Sequence, residues 1–174
     1  MKRLLQTTAL AMLIALPAHA QEITVGASNL SSYLDPGRDH SNVGSQFYYN
    51  VFDVLIERDH DRMEPVWRPG LATEWELIEP TVMELKLRDD VTFHNGDHMT
   101  ADDVVFSLNR MFQATFPPYQ VRQRDRLNNF EKAEKIDDYT VRIHVKREEP
   151  LWETLLNLQQ TMIIPQAYTM ALTG

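Results

Sequence analysis

His94 and His98, with Asp97 between them, are the residues of this chain best suited by type to hold a first-row metal ion, since imidazole and carboxylate both ligate such ions. Their spacing argues against it. Two histidines at i and i+4 share a face only on a helix, whereas the intervening Asn95-Gly96 is a residue pair that accepts the positive φ of a tight turn. The segment therefore reads as an exposed hairpin tip. A small secreted metal-binding protein or enzyme using His94, Asp97 and His98 is the alternative to the reading developed below. His60, between Asp59 and Asp61, is likewise a polar loop residue.

Paired acids could suggest acid-base chemistry, but catalytic carboxylates face each other across a substrate. Asp102/Asp103, Asp137/Asp138 and Glu148/Glu149 are adjacent in sequence, and helix-start, turn and pre-proline roles account for them. Trp67, Trp75 and Trp152 could stack on a ligand, yet at strand and helix positions large aromatics serve a core. There is no Cys nucleophile, no Gly-x-Ser-x-Gly elbow and no phosphate-cradling loop, with six glycines in total. The chain reads as a non-enzyme that needs no cofactor.

What must position these residues is a chain with an export address. Lys2 and Arg3 precede an apolar run from Ala9 to Leu16, then Pro17 and Ala18-His19-Ala20, the pattern of a cleavable signal peptide over residues 1–20. Gln6, Thr7 and Thr8 leave the run shorter than the roughly 20 apolar residues a spanning helix needs. With no Cys there is neither a lipid attachment site at the mature terminus nor a disulfide, so a packed core must supply the stability. Losing Lys2 and Arg3 takes the formal net charge from −8 to −10. An acidic surface repels nucleic acid and anionic lipid. The one basic cluster, Arg122, Arg124 and Arg126, is interrupted by Gln123 and Asp125 and reads as a solvated stretch.

Periodicity then sets the elements. Glu22 to Val25 alternates as a strand, and Ser28 to Pro36 has loop composition. Val43, Phe47, Val51 and Leu55 recur at helical spacing and predict a helix across 43–55. Glu74 to Ile78 reads as a short strand, and Met83 to Arg88 alternates apolar and charged side chains as a half-buried one. Thr100 and Asp103 form a helix-start pair ahead of a helix over 101–112. A hairpin turning at Asp137-Asp138 follows, with Thr140 to Val145 as its second strand. A last helix from Pro150 carries Leu151, Leu155 and Leu158. Met162-Ile163-Ile164-Pro165, close to the end, is an apolar run that needs neighbours to cover it and suggests an incomplete architecture. The class is mixed α+β with antiparallel hairpins.

Three ordered stretches, Arg68 to Glu76, Glu84 to Gly96 and Thr100 to Arg110, resemble the bacterial extracellular solute-binding proteins of family 5. The correspondence lies in "P-x-LA-x-x-W", in a strand ending "LR-x-x-V-x-FH-[DN]-G", and in "TA-x-DV-x-FS". Leu34-Asp35-Pro36, Asp137 to Val141 and Met162 to Pro165 extend it. The resemblance implies the N-terminal part of a type II (class C) periplasmic binding protein. In that scheme residues 21–46 are the first strand and loop of lobe I, 47–158 a small inserted α+β domain, and 159–174 the start of the return to lobe I. Family members are several times longer, so the resemblance implies a truncated form that lacks the second lobe. It further implies a periplasmic component of an ABC import system whose partners are a peptide or other small solute and the inner-membrane permease. Nickel, haem, opines and sugars are alternative cargoes. Ser28, Asn29 and Leu30, just past the first strand, are the positions it places nearest a ligand; a capped loop is the simpler role for the same residues.

Overall fold

A computed structural model describes residues 34–38, 41–113 and 125–173, together with Gly26. The predicted signal segment, the strand at 22–25, Ser28, Asn29, Leu30, Arg122 and Arg124 lie outside the described residues; Arg126 is exposed.

Alternating sequence produces the central sheet. Strands β3 (Ala72–Glu79), β4 (Val82–Leu87), β5 (Phe130–Asp137) and β6 (Thr140–Val145) form one antiparallel sheet in the order β3-β4-β6-β5. In β4 and β6 the register pairs Leu85 with Val141 and Met83 with Ile143 on one face, and Glu84 with Arg142 on the other. The period of two thus sorts apolar from charged side chains. A two-stranded ribbon, β1 (Ile56–Arg58) with β2 (Trp67–Pro69), lies before the sheet in sequence.

Helix α2 (Ala101–Phe112) covers the apolar face, with Val104, Leu108 and Met111 buried at helical spacing. Each fully buried Leu or Ile here contributes about 1.5–3 kcal/mol. The helix begins where the sequence predicts: the Thr100 backbone N–H donates to the Asp103 carboxylate at 2.9 Å, tying up one donor of the first turn. Asn109 anchors its far half. Its amide donates to the Ala133 carbonyl at 2.8 Å and its Oδ1 accepts the Ala133 N–H at 2.7 Å, closing one hydrogen-bonding position on the edge of β5. Phe130 stacks on Phe112 at 4.7 Å and meets Trp152 edge-on at 5.4 Å, so the aromatics join helix, sheet and the following segment.

Several expectations give way to tertiary pairing. The helix predicted over 43–55 stops early: α1 spans Asn42–Tyr48, capped by the Ser41 hydroxyl accepting the Gly44 N–H at 2.9 Å. The carbonyls of Val54 and Leu55 instead accept the N–H groups of Leu71 and Ala72, and the chain enters β1. Cross-strand pairing outweighs a weak local periodicity. The predicted last helix is the five-residue α3 (Trp152–Leu156), whose buried residues are Trp152 and Leu156, while Leu151 is exposed and Leu158 begins a 3-10 turn, Gln159–Thr161. A further helix, α4 (Gln166–Thr173), follows Pro165.

Met162-Ile163-Ile164, the apolar run that needs neighbours to cover it, finds them in this structure. All three are buried within this chain. Met162 joins Tyr48 and Val54 in a small second cluster, and Ile163 lies in the main core. The Ile163 N–H donates to the Asp53 carbonyl at 3.1 Å, and Ile164 is held by Ser107 of α2. The tail returns to the body and closes it.

Candidate functional site

His94, Asp97 and His98 lie on the turn that the sequence predicts. Asn95-Gly96 forms the expected turn, with Gly96 at φ 92°, the Phe93 N–H donating to the Asp97 carbonyl and a single bridge between Thr92 and His98. The Asp97 carboxylate accepts the Asn95 amide at 2.7 Å, and the whole tip, including His94 and His98, is exposed. Among the described residues no three His, Cys, Asp or Glu side chains gather as a metal site. His94, Asp97 and His98 thus sit together on an exposed hairpin tip.

The carboxylate pairs resolve into structural roles as well. Asp102 and Asp138 both accept the Lys135 ammonium at 2.7 Å, and together they raise the lysine's pKa. Asp103 holds the start of α2 and accepts the Gln166 N–H at 2.9 Å. Glu149 accepts Asn129 and the Leu151 N–H. Trp152 is core, and Trp67 and Trp75 pack partly buried against it.

The first two of the stretches that carry the family resemblance meet at one surface. A cavity of about 530 Å³ opens between Pro69, Gly70, Leu87, Arg88, Asp90 and Tyr139. Its strongest polar feature is already satisfied. Arg88 grips Asp90 through two bonds at 2.8 and 2.9 Å, which holds the Asp90 carboxyl below the usual carboxylate range. Gly70 is there for the backbone: a Cβ would come within 2.6 Å of the Val54 carbonyl oxygen.

The opposite face of the sheet carries a charge ladder. Glu84 accepts Arg142 at 2.9 Å and Lys86 at 3.2 Å; Glu134 accepts Lys132 at 2.7 Å and His144 at 2.9 Å. Both carboxyl groups are held below their ordinary values, Glu84 chiefly by Arg142 and Glu134 chiefly by Lys132.

The feature that sequence reasoning missed lies at the other end of α2. Arg110, 5 % exposed, forms a two-bond ion pair with Asp35, with Nη1 to Oδ2 at 3.1 Å and Nη2 on Oδ1. Leu34-Asp35-Pro36 and Arg110 both belong to the quoted resemblance, but nothing in their separate positions reveals that they meet. Beside them the Gln159 amide donates to the Pro36 carbonyl at 3.1 Å and the Ser45 hydroxyl donates to Gln159 Oε1 at 2.7 Å. The segment just downstream of Ser28, Asn29 and Leu30 is thereby pinned against α2, α1 and the returning tail.

The family model for bacterial extracellular solute-binding proteins, family 5 Middle, matches residues 66–171, more than half of the chain. The chain belongs to this family. The oligopeptide-binding protein OppA of Haemophilus influenzae is 26 % identical over 160 residues, covering 83 % of this chain and 29 % of that protein. The solved structure of Haemophilus influenzae OppA in complex with the peptide RPPGFSPFR is 27 % identical, covering 79 % of this chain and 29 % of that one, with a TM-score of 0.66. That of MoaA from A. tumefacien R10 in complex with mannopinic acid is 29 % identical, covers 79 % and 28 %, and has a TM-score of 0.67. The chain thus has part of the fold of type II periplasmic binding proteins and spans less than a third of each of these family members. The strands and helix quoted above place Leu85 and Val104 in the core of this chain.

Proposed function

We propose that this chain serves as part of the solute-binding component of an ABC import system, with peptide as the cargo class. The observation that carries the reading is the ordered run of family residues from Arg68 to Arg110, which falls within the matched region and folds as the family's mixed α/β unit. Peptide is favoured over other cargoes because the Haemophilus influenzae relative is an oligopeptide-binding protein that also matches along most of the chain.

Within this reading residues 21–46 belong to the first lobe, 47–158 to the inserted domain and 159–174 to the return into the first lobe. Ser28, Asn29 and Leu30 are the residues offered to a solute. The chain does no chemistry, delivers cargo to an inner-membrane permease, and is exported to the periplasm after removal of residues 1–20.

High affinity for a small solute requires burial of most of its surface. A span under a third of its relatives' length supplies one side of such an enclosure. Calorimetric titration of this chain with a tripeptide, a nonapeptide and mannopinic acid tests the proposal. Weak binding of the peptides, with Kd well above about 1 µM, and none of the opine is expected; saturable binding of mannopinic acid alone would overturn the peptide assignment. Amino-terminal sequencing of the periplasmic product should begin at Gln21, and recovery of an uncleaved cytoplasmic chain would refute export.

A further inference from the structure

We infer that Arg110 is a positioning residue for the amino-terminal segment, holding residues 34–38 against the inserted domain through its ion pair with Asp35. The inference rests on the proposal that this segment leads into the solute-contacting loop, but the contacts themselves stand without it.

Arg110 is an anomaly on α2. Its neighbours Leu108, Met111 and Phe112 are buried in the apolar core, and a guanidinium 5 % exposed at such a site carries a desolvation cost that a hydrophobic residue would avoid. What the arginine obtains in return is the loop. The Asp35 carboxylate takes both terminal nitrogens of Arg110, and its Oδ1 also accepts the Gly37 N–H at 2.8 Å. The Asp35 carbonyl accepts the Arg38 N–H at 2.9 Å. One residue therefore organises the turn on one side and binds the helix on the other. Gly37 sits directly on the pair: a Cβ there would meet Arg110 Nη2 at 2.8 Å and Met111 Sδ at 3.0 Å, so a side chain at 37 would displace the guanidinium from its place. The remaining Arg110 nitrogen, Nε, is buried with no partner among the described residues, where the hold on the guanidinium falls to Asp35. A buried pair of this kind adds little net stability compared with a packed apolar residue, yet it fixes one arrangement strongly, because separating the partners strands a charge.

Amide hydrogen exchange on the full chain without any solute reads this directly, so its outcome is separate from whether the chain binds peptide. In Arg110→Met the Gly37 and Arg38 amides should exchange at least about tenfold faster relative to the β4 and β6 amides than in the parent chain, as a local opening does. Arg110→Lys, which keeps the charge, should recover part of that protection. Equal protection of Gly37 and Arg38 in parent and Arg110→Met, or acceleration by the same factor as the strands, would overturn the inference. If Arg110→Met does not fold, Asp35→Asn, which keeps the side-chain shape, is read by the same comparison and decides in the same way.

Discussion

The Ser107 hydroxyl makes a reciprocal pair with the backbone of Ile164: it donates to the Ile164 carbonyl at 3.2 Å and accepts the Ile164 N–H at 3.0 Å. Ser107 is 1 % exposed and Ile164 6 %, so α2 offers the returning tail the two bonds a neighbouring strand would otherwise supply. Ser107→Ala should leave both backbone groups buried and unpaired and destabilise the chain by about 1–3 kcal/mol. Urea denaturation measures it, and a midpoint unchanged from the parent would show that the tail is not held there.

The Asp35–Arg110 pair predicts an asymmetry. Asp35→Ala strands a guanidinium that is 5 % exposed, whereas Arg110→Met leaves a carboxylate that is 28 % exposed and open to water. Loss of one partner of a buried pair costs about 3–5 kcal/mol, and Asp35→Ala should lie at the upper end of that range with Arg110→Met below it. A double-mutant cycle in thermal unfolding checks the ordering; equal losses with no coupling would contradict it.

Two glycines should respond for different reasons. Gly70→Ala drives a methyl to 2.6 Å from the Val54 carbonyl oxygen and 3.0 Å from that of Leu55, both rigid backbone, and should cost about 1–3 kcal/mol or more. Gly96→Ala has open space around it but a backbone at φ 92°, so only conformational strain of about 1–2 kcal/mol applies. Differential scanning calorimetry should rank Gly70→Ala as the more damaging, and the reverse order would contradict the close approach of 54–55 to Gly70.

Acid should erode the charge ladder in a defined direction. The Glu84 and Glu134 carboxyls are held below their ordinary values by Arg142 and Lys86 and by Lys132 and His144 respectively. A carboxyl depressed in the folded state stabilises it above its unfolded value, about 4.3, and that contribution disappears as pH falls through the folded value. Because the face is partly open to solvent and screened, each pair is worth at most about 1 kcal/mol. Stability measured between about pH 5 and pH 3 should fall less steeply in Glu84→Gln and in Glu134→Gln than in the parent. Parallel curves would show that the ladder contributes nothing.

The histidine turn should be inert toward metals. After equilibration with zinc and dialysis, the full chain and His94→Ala are expected to retain the same trace amount by atomic absorption. One equivalent retained by the parent and lost in His94→Ala would restore the metal reading.

Local rules made several elements legible. The alternation from Met83 to Leu87 and from Thr140 to Val145 marked two half-buried strands, and Thr100 with Asp103 marked the start of α2, because side-chain period and cap chemistry act over a few residues. Ribbon β1–β2, the early end of α1 and helix α4 were not legible. Each depends on partners distant in sequence: Leu71 and Ala72 for the backbone after α1, Trp67 for Arg58, and Asp103 for the start of α4.

By itself the sequence determined the mixed α+β class, the motif run that matches the family, and the turn chemistry that makes His94, Asp97 and His98 a hairpin tip, since these follow from residue type and short-range spacing. Only the tertiary structure decided that Met162 to Ile164 are covered within this chain and that Asp35 meets Arg110, 75 residues away. Such contacts arise from how the returning tail and the entering loop pack on α2, and burial energy is set by which surfaces meet rather than by which residues are neighbours along the chain.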